Sequence, residues 1–326
     1  MKKAIIIGAV LLAIVAAILF RPQPQPNTAA QLLLDWTANT NHTGIYVALE
    51  KGWYKDEGIE LKIITPSNTA VETVVGSGKV DFGISFQEYV TSSRLQGVPI
   101  VSIAAVIQHN TASFAALPES GIKSPRDFVG KRYGGWGLPI ERAILEPLIK
   151  ADQGKGEPRY VQIGSGDLLR MLGRDADFVQ IFYAWQGIEA KLRKLPLQII
   201  SMSDYFAVVP DYYTPVIITS EKKLRTDPQL VRKFMAATAK GYEFAEKHPR
   251  QAAEILIKHL PDTDPQLIKD SQKWLSPRYR ADAPRWGEQK LEVWENFGNW
   301  LLKNKLIEGK LDAKRAFTND FLPKED

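Results

Sequence analysis

Aromatic rings occur beside amide, imidazole and carboxylate groups in four short stretches of the chain, each of which follows a predicted strand. The rings provide stacking surface, and the polar groups provide several hydrogen-bond donors and acceptors. Gly134, Gly135 and Gly137 would let a ligand approach the backbone closely. This combination is typical of a site that binds a flat, polar heterocycle. The residues that we expect to contact such a ligand are Trp36, Asn39, His42, Gln87, Trp136, Tyr183, Trp185 and Glu189.

Several of these residues have an ordinary structural alternative. Trp36 could be part of the core, because large aromatic side chains bury well wherever they are placed. Asn39 could cap the helix that follows it, which is the commoner role of asparagine in such a turn. Tyr183 and Trp185 could each face either a cleft or the core. Glu189 could be a solvated helix residue, although its carboxylate could also accept paired hydrogen bonds from an amino-heterocycle.

No pattern of catalytic or metal-binding residues is recognisable. The chain has no cysteine, which excludes thiol nucleophiles, thiolate zinc sites and disulfides. None of its histidines lies near a second histidine or near carboxylates at metal-ligand spacing. The turn at residues 164–166 lacks the third glycine of a dinucleotide-binding fingerprint. We therefore expect no metal and no cofactor.

The charge of the chain argues against nucleic acid as a partner. Of 42 Lys and Arg residues, three (Lys2, Lys3 and Arg21) lie in the first thirty residues, which contain no acid. The remaining 39 basic residues against 37 acidic ones leave a net charge of +2. Such a nearly neutral body lacks the positive surface that binding of a phosphate backbone requires.

The N-terminus has the composition of a targeting segment. Lys2 and Lys3 precede the uncharged residues 4–20, which are long enough for a signal-peptide core and close to the minimum for a membrane span. Residues 28–30 make a poor cleavage site, which favours an uncleaved anchor followed by a polyproline-type tether at residues 21–26. Both alternatives predict a location outside the cytoplasm.

Strand and helix patterns alternate along the rest of the chain, which predicts an α/β protein built on parallel sheets. The pattern restarts after residue 117. The length of the chain, 326 residues, also favours two domains. We expect residues 31–117 and 205–326 to form lobe 1, residues 118–204 to form an inserted lobe 2, and the hinge to lie near Leu117 and Tyr213. A ligand cleft would then lie between the lobes, at the carboxyl ends of strands.

The run D-W-T-A-N-T-N-H-T-G-I-Y-V-A at 35–48 resembles the pyrimidine-precursor-binding proteins of thiamine salvage importers. The stretches G-S-G-K-V-D-F-G-I-S at 76–85 and A-W-Q-G-I-E at 184–189 extend the resemblance, which covers residues 32 to about 258. Alkanesulfonate-, taurine- and nitrate-binding proteins are relatives of this family. The resemblance implies a type II periplasmic-binding-protein fold whose lobes close on an aminopyrimidine. It also implies that the protein delivers this ligand to an ABC permease, and we expect the protein to be a monomer.

Two other functions are compatible with the same fold. The eukaryotic enzymes that synthesise the thiamine pyrimidine resemble this chain, but they carry a lysine that holds pyridoxal phosphate and a histidine four residues later. This chain has Ser85 and Tyr89 at those places, so the resemblance argues against the enzyme. Another solute, such as a sulfonate, a flavin precursor or an aromatic acid, remains an alternative. An anion would require helix N-termini with Ser, Thr or Arg at the cleft.

Overall fold

A computed structural model describes residues 27–65, 69–163 and 167–324 of the chain. The predicted membrane segment at residues 4–20, the predicted tether at residues 21–26 and the turn at residues 164–166 lie outside the described residues. In the part of the chain that is described, no helix combines the length and the apolar character needed to cross a membrane.

The described residues form strands and helices in alternation through most of the chain. The strands are β1 (Thr28–Leu33), β2 (Ile59–Ile64), β3 (Phe82–Ser85), β4 (Ile100–Ala105), β5 (Ala112–Ala116), β6 (Arg132–Gly135), β7 (Arg159–Gln162), β8 (Phe178–Phe182), β9 (Gln198–Ser201) and β10 (Val216–Ser220). The helices are α1 (Thr43–Glu50), α2 (Trp53–Asp56), α3 (Val71–Gly76), α4 (Gln87–Leu95), α5 (Pro139–Ala151), α6 (Leu168–Met171), α7 (Ile188–Leu192), α8 (Glu221–Thr226), α9 (Pro228–Lys247), α10 (Pro249–His259), α11 (Pro265–Arg280), α12 (Leu291–Lys303) and α13 (Ala313–Ala316).

The strands form two five-stranded sheets, one in each lobe. The first has the order β2-β1-β3-β10-β4 and the second has the order β7-β6-β8-β5-β9. Helices pack against both sheets and bury their apolar side chains there. The molecule is therefore an α/β protein with two lobes, as the sequence predicts.

Both sheets are mixed, which corrects the expectation of parallel sheets. Strand β10 is antiparallel to β3 and β4, and β5 is antiparallel to β8 and β9. The pairs of β1 with β2 and β3, and of β6 with β7 and β8, are parallel. The chain enters β5 and β10 from the crossovers between the lobes, where β4 and β8 end. A strand that begins where its neighbours end is antiparallel to them.

The crossovers lie away from the predicted lobe boundaries. Because β5 pairs within the second sheet, the chain leaves the first lobe at residues 106–111 rather than at 117. On the return, Tyr212 packs in the core of the second lobe and Tyr213 packs in a core of the first lobe. The second lobe thus spans about residues 112–212 rather than 118–204. Strand β5 has a weak sequence signal because three of its five residues are alanine.

Helix α12 belongs to both lobes, whereas the sequence predicts lobe 1 for all of residues 205–326. Its Trp294 is buried in a core of the first lobe, while Phe297 and Trp300 are buried in the core of the second. The ring of Phe297 stacks on that of Tyr212 with centroids 4.1 Å apart. The helix therefore bridges the lobes beside the crossovers.

Helices α1 and α9 cross at two glycines, and this contact places the loop that precedes α1. A Cβ atom on Gly241 would lie 1.9 Å from the carbonyl oxygen of Gly44, so only glycine permits this approach. Beside the crossing, the hydroxyl of Tyr242 donates to the carbonyl oxygen of Asn41 at 2.7 Å. The loop at the end of β1 is therefore held against the body of the first lobe.

Candidate functional site

A cleft of about 710 Å³ lies between the two lobes. Its first-lobe wall consists of the segments that follow β1 and β3, and its second-lobe wall consists of the segments that follow β6 and β8. A larger hollow of about 860 Å³ lies on the second lobe, between α5 and α12. That hollow receives no residue from the strands of the first lobe, so the inter-lobe cleft is the better candidate for a ligand site.

The structure brings five of the predicted site residues together in this cleft. They are Trp36, Asn39, Trp136, Trp185 and Glu189. Trp36 is 41% exposed, so it is not a core residue. Asn39 also has the predicted capping role, since its Oδ1 accepts from the backbone N–H of Asn41 at 2.8 Å.

His42 lies behind the cleft wall, which corrects its predicted position. The imidazole is fully buried, and its Nδ1 accepts from the backbone N–H of Asn39 at 3.1 Å. The ring proton therefore resides on Nε2, which donates to Oδ1 of Asp35 at 2.8 Å. Asp35 lines the cleft, so His42 acts on the site by orienting this carboxylate.

Gln87 is also buried behind the cleft and connects α4 to the crossover. Its Oε1 accepts from the backbone N–H of Tyr213 at 2.8 Å, and its backbone N–H donates to the carbonyl of Tyr213 at 3.0 Å. Its Nε2 donates to the carbonyl of Val293 at 3.3 Å. The next residue, Glu88, lines the cleft instead. Consecutive helix residues differ by about 100° in direction, so a strand-end pattern does not show which of the two faces the ligand.

Tyr183 lies outside the cleft, in contrast to the prediction. It lines a separate hollow of about 350 Å³ and contacts Trp274, with ring centroids 5.0 Å apart. Tyr183 and Trp185 belong to one wide helical turn, Tyr183–Gly187, in which side chains two residues apart point in nearly opposite directions. Trp185 therefore faces the cleft while Tyr183 faces away from it.

Glu141 occupies the N-terminus of α5 at the second-lobe wall. Its carboxylate accepts from the backbone N–H groups of Trp136 at 2.8 Å, Gly137 at 2.9 Å and Leu138 at 2.8 Å. These N–H groups lie in the segment that leads into α5, next to the helix N-terminus, where an anion is favoured. Glu141 is not among the predicted site residues, although Pro139 followed by Glu141 at the third helical position is a capping signal.

Glu88 presents a second carboxyl group that the sequence analysis missed. Its Oε2 is buried and has no hydrogen-bond partner among the described residues. Burial raises the pKa of Glu88 to about 8, and the nearby Glu72 carboxylate adds to this rise. The hydroxyl of Ser85 donates to Oε1 of Glu72. Glu88 is therefore mainly a neutral carboxylic acid at pH 7.

Ion pairs occupy the outer rim of the cleft. Arg193 lies between the carboxylates of Glu189 and Asp167, with 3.1 Å between its Nη1 and Oδ2 of Asp167. Glu189 lines the cleft, but one of its oxygens already accepts from this guanidinium. A ligand would meet the other carboxylate oxygen or the guanidinium itself.

The site does not fit pyridoxal phosphate. Ser85, at the place where the resemblance puts the lysine of the pyrimidine synthases, is a buried residue whose hydroxyl donates to Glu72. A hydroxyl cannot form the Schiff base that holds this cofactor. Among residues 27–65, 69–163 and 167–324, no group of three or more His, Asp or Glu side chains has the arrangement of a metal site.

Known proteins with similar sequences include both binding proteins and enzymes. The chain is 27% identical to the formylaminopyrimidine-binding protein of Halalkalibacterium halodurans, over 95% of this chain and 98% of that protein. It is also 27% identical to the 4-amino-5-hydroxymethyl-2-methylpyrimidine phosphate synthase of Legionella pneumophila subsp. pneumophila, over 90% of this chain and 92% of that protein.

Solved structures identify the fold. The alkanesulfonate-binding protein of Xanthomonas axonopodis pv. citri, bound to MOPS, superimposes with a TM-score of 0.69 at 10% identity, over 90% of this chain and 99% of that chain. A Candida albicans protein described as having the generic periplasmic binding protein fold gives a TM-score of 0.63 at 13% identity, over 92% of this chain and 99% of that chain. The sequence profile described as NMT1/THI5 like matches residues 39–252, which is more than half of the chain. With its two lobes in the periplasmic-binding-protein fold, the chain thus belongs to the NMT1/THI5-like family.

Proposed function

We propose that the protein is the solute-binding component of an ABC importer and captures an aminopyrimidine precursor of thiamine. The observation that carries this proposal is the distribution of tryptophans over the cleft. Trp36 comes from the first lobe, while Trp136 and Trp185 come from the second. A flat ring between the lobes would contact aromatic side chains of both, and closure about the crossovers would bury it.

The position of Glu141 favours a heterocycle over a sulfonate. An anionic ligand would use the backbone N–H groups at the start of α5, and the Glu141 carboxylate already accepts from three of them. At the start of α5, a sulfonate would have to displace this carboxylate or bind beside it, where the two negative charges repel. An uncharged pyrimidine meets no such repulsion.

The residues at 85 and 89 favour binding over synthesis. The related synthases resemble this chain through motifs that, in those enzymes, come with a lysine and a histidine. Here Ser85 and Tyr89 stand at those places. Tyr89 lines the cleft, where it can contact a ring, and neither residue provides an amine. We therefore propose that the ligand leaves the cleft unchanged.

We further propose an extracytoplasmic location and a permease partner. The basic residues at 2 and 3 and the uncharged residues 4–20 are typical of a segment that directs the chain through or into the membrane. A binding protein on the outer surface of the membrane would act as a monomer and release its ligand to the permease when the lobes open.

Isothermal titration calorimetry tests the ligand. The full chain in mild detergent, unfolded and refolded to remove any trapped ligand, would be titrated with hydroxymethyl- and formylaminopyrimidines, thiamine, taurine and a flavin precursor. We expect one-to-one binding of an aminopyrimidine and no heat from taurine. Binding of taurine or of the flavin precursor, with no heat from the pyrimidines, would overturn the proposed ligand. Conversion of the pyrimidine during the titration, detected by mass spectrometry, would contradict a pure binding protein.

A further inference from the structure

Five carboxyl groups line the described part of the cleft, and four of them already have partners. Asp35 accepts from His42, Glu141 from the start of α5, and Asp167 and Glu189 from Arg193. The fifth is Glu88, whose carboxyl group accepts from its own backbone N–H but whose Oε2 is buried without a hydrogen-bond partner among the described residues. A buried carboxyl oxygen that lacks a partner is destabilising, so a ligand that supplies the partner binds more tightly.

The surroundings of Glu88 keep a proton on it. Glu72 lies close enough on α3 to repel a negative charge at Glu88, and burial disfavours the charged form more strongly. The carboxyl group also faces Tyr89 on its own helix and Tyr212 at the crossover, whose pKa values its charge would raise. A neutral carboxyl group has one O–H donor and one carbonyl acceptor side by side.

We propose that the neutral carboxyl group of Glu88 is a specificity-determining group that recognises the amidine edge of the pyrimidine. Its O–H donates to a ring nitrogen, and its carbonyl oxygen accepts from the exocyclic amine on the adjacent carbon. This inference rests on the proposed function, because it assumes that the cleft holds an aminopyrimidine. The carboxyl group and the amidine edge each have one donor and one acceptor at matching positions, so both hydrogen bonds form with no net charge in the cleft.

Two substitutions separate this role from a purely structural one. Glu88→Gln keeps a donor and an acceptor side by side, so we expect its affinity for the aminopyrimidine to stay within about threefold of wild type, less than 1 kcal/mol. Glu88→Leu removes both, and we expect at least tenfold weaker binding, or about 1.4 kcal/mol. An analogue with hydrogen in place of the amine keeps the ring nitrogen but cannot donate to the carbonyl oxygen, so Glu88→Leu should weaken its binding less than that of the amino ligand.

The affinity should also depend on pH in the wild type but not in Glu88→Gln. Above the pKa of Glu88 the carboxylate can no longer donate to the ring nitrogen, so the affinity should fall about tenfold per pH unit. In Glu88→Gln it should stay flat over the same range. The other titratable or charged groups that face Glu88 or line the cleft are present in both proteins. They are Glu72, Tyr89, Tyr212, Asp35, Glu141, Asp167, Glu189 and Arg193.

The experiment is calorimetry of the full chain in detergent with 4-amino-5-hydroxymethyl-2-methylpyrimidine and its desamino analogue, from about pH 6.5 to about pH 9.5, a range that spans the pKa. Glu254→Gln makes the same substitution at an exposed residue of α10, away from the cleft, and should keep the wild-type profile. Circular dichroism verifies that each variant is folded.

Three results would overturn the inference. The first is wild-type affinity of Glu88→Leu for the amino ligand, and the second is a wild-type pH profile in Glu88→Gln. The third is an equal loss of affinity in Glu88→Gln and Glu88→Leu, which would indicate that a charged carboxylate pairs with a protonated ring. In each case the wild type still binds, so the proposed function stands. If the wild type binds no aminopyrimidine, the proposed function fails and this inference fails with it.

Discussion

Trp36 is the residue whose position most directly suggests contact with a flat ligand. It follows β1 at the cleft and is 41% exposed, so little of the fold depends on it. We predict that Trp36→Ala weakens binding of the aminopyrimidine at least tenfold, or about 1.4 kcal/mol, because stacking surface is lost. Titration calorimetry measures the affinity, and urea unfolding should give wild-type stability. The control is Trp53→Ala, on the same lobe and away from the cleft, which should bind the aminopyrimidine with wild-type affinity. Unchanged binding in Trp36→Ala would show that Trp36 is not part of the site.

Glu141 should decide whether the cleft accepts anions. Glu141→Ala frees three backbone N–H groups at the start of α5, so we predict that taurine then binds with a Kd on the order of 1 mM, or about 4 kcal/mol. The lost caps should also destabilise the protein by about 1–2 kcal/mol in urea unfolding. Glu146→Ala, an exposed residue of the same helix, is the control and should gain no anion affinity. If Glu141→Ala binds no taurine, something other than this carboxylate excludes anions.

At the scale of elements, the crossing of α1 and α9 depends on the absence of one side chain. Gly241→Ala would place a Cβ atom 1.9 Å from the carbonyl oxygen of Gly44, where backbone must move. We predict that the free energy of unfolding falls by about 1–3 kcal/mol, which is typical of overpacking. Ligand binding should also weaken, because the loop before α1 shifts. Equilibrium unfolding in urea measures the stability.

Gly298→Ala is the matched control for this substitution, since it also replaces a helical glycine. The new Cβ atom would meet Leu311 at an ordinary contact distance of 3.5 Å. Because alanine is the better helix former, we expect a gain of about 0.5–1 kcal/mol. Equal losses of stability in Gly241→Ala and Gly298→Ala would mean that the fold requires glycine in its helices generally, rather than at this crossing.

At the scale of the whole molecule, His109 connects the two crossovers to the first lobe. Its Nδ1 lies 2.6 Å from Asp211 and its Nε2 lies 2.9 Å from Asp282. The hydrogen bond with Asp211 raises the pKa of His109 above 6.5, and Asp282 contributes further. A histidine whose pKa is higher in the folded state stabilises the fold below the unfolded value of about 6.5. This contribution is lost as the pH rises through the folded pKa.

We predict that the wild type loses stability relative to His109→Gln as the pH rises from the unfolded pKa of about 6.5 through the higher pKa of the folded state. The difference should be under about 1 kcal/mol, because the imidazole is half exposed and water screens the pair. Urea unfolding of both proteins at several pH values measures it. His248→Gln, in which an exposed histidine is replaced, should show the same dependence of stability on pH as the wild type. The opposite sign for His109→Gln would show that His109 is neutral in the folded state.

Local signals determined much of the secondary structure. The helices Pro228–Lys247 and Pro249–His259 have clear local signals, because each starts at a proline and carries an apolar stripe at helical spacing. The two-lobed α/β class follows from the alternation of elements. Strand β5 and the positions of the crossovers were missed, because an alanine-rich strand is recognised only by the strands it pairs with.

The sequence by itself determined which chemical groups stand at strand ends, and tertiary structure decided which of them face the cleft. Trp36 and Trp136 follow strands whose carboxyl ends meet between the lobes, so position along the chain was sufficient for them. Tyr183 and Trp185 follow one strand, and only the turn that they share decides that Trp185 faces the cleft. Gln87 and Glu88 are neighbours with the same local signals, yet Gln87 is held by the crossover backbone and Glu88 faces the cleft. The orientation of a side chain about its helix axis depends on the packing of distant segments, and no local pattern encodes that packing.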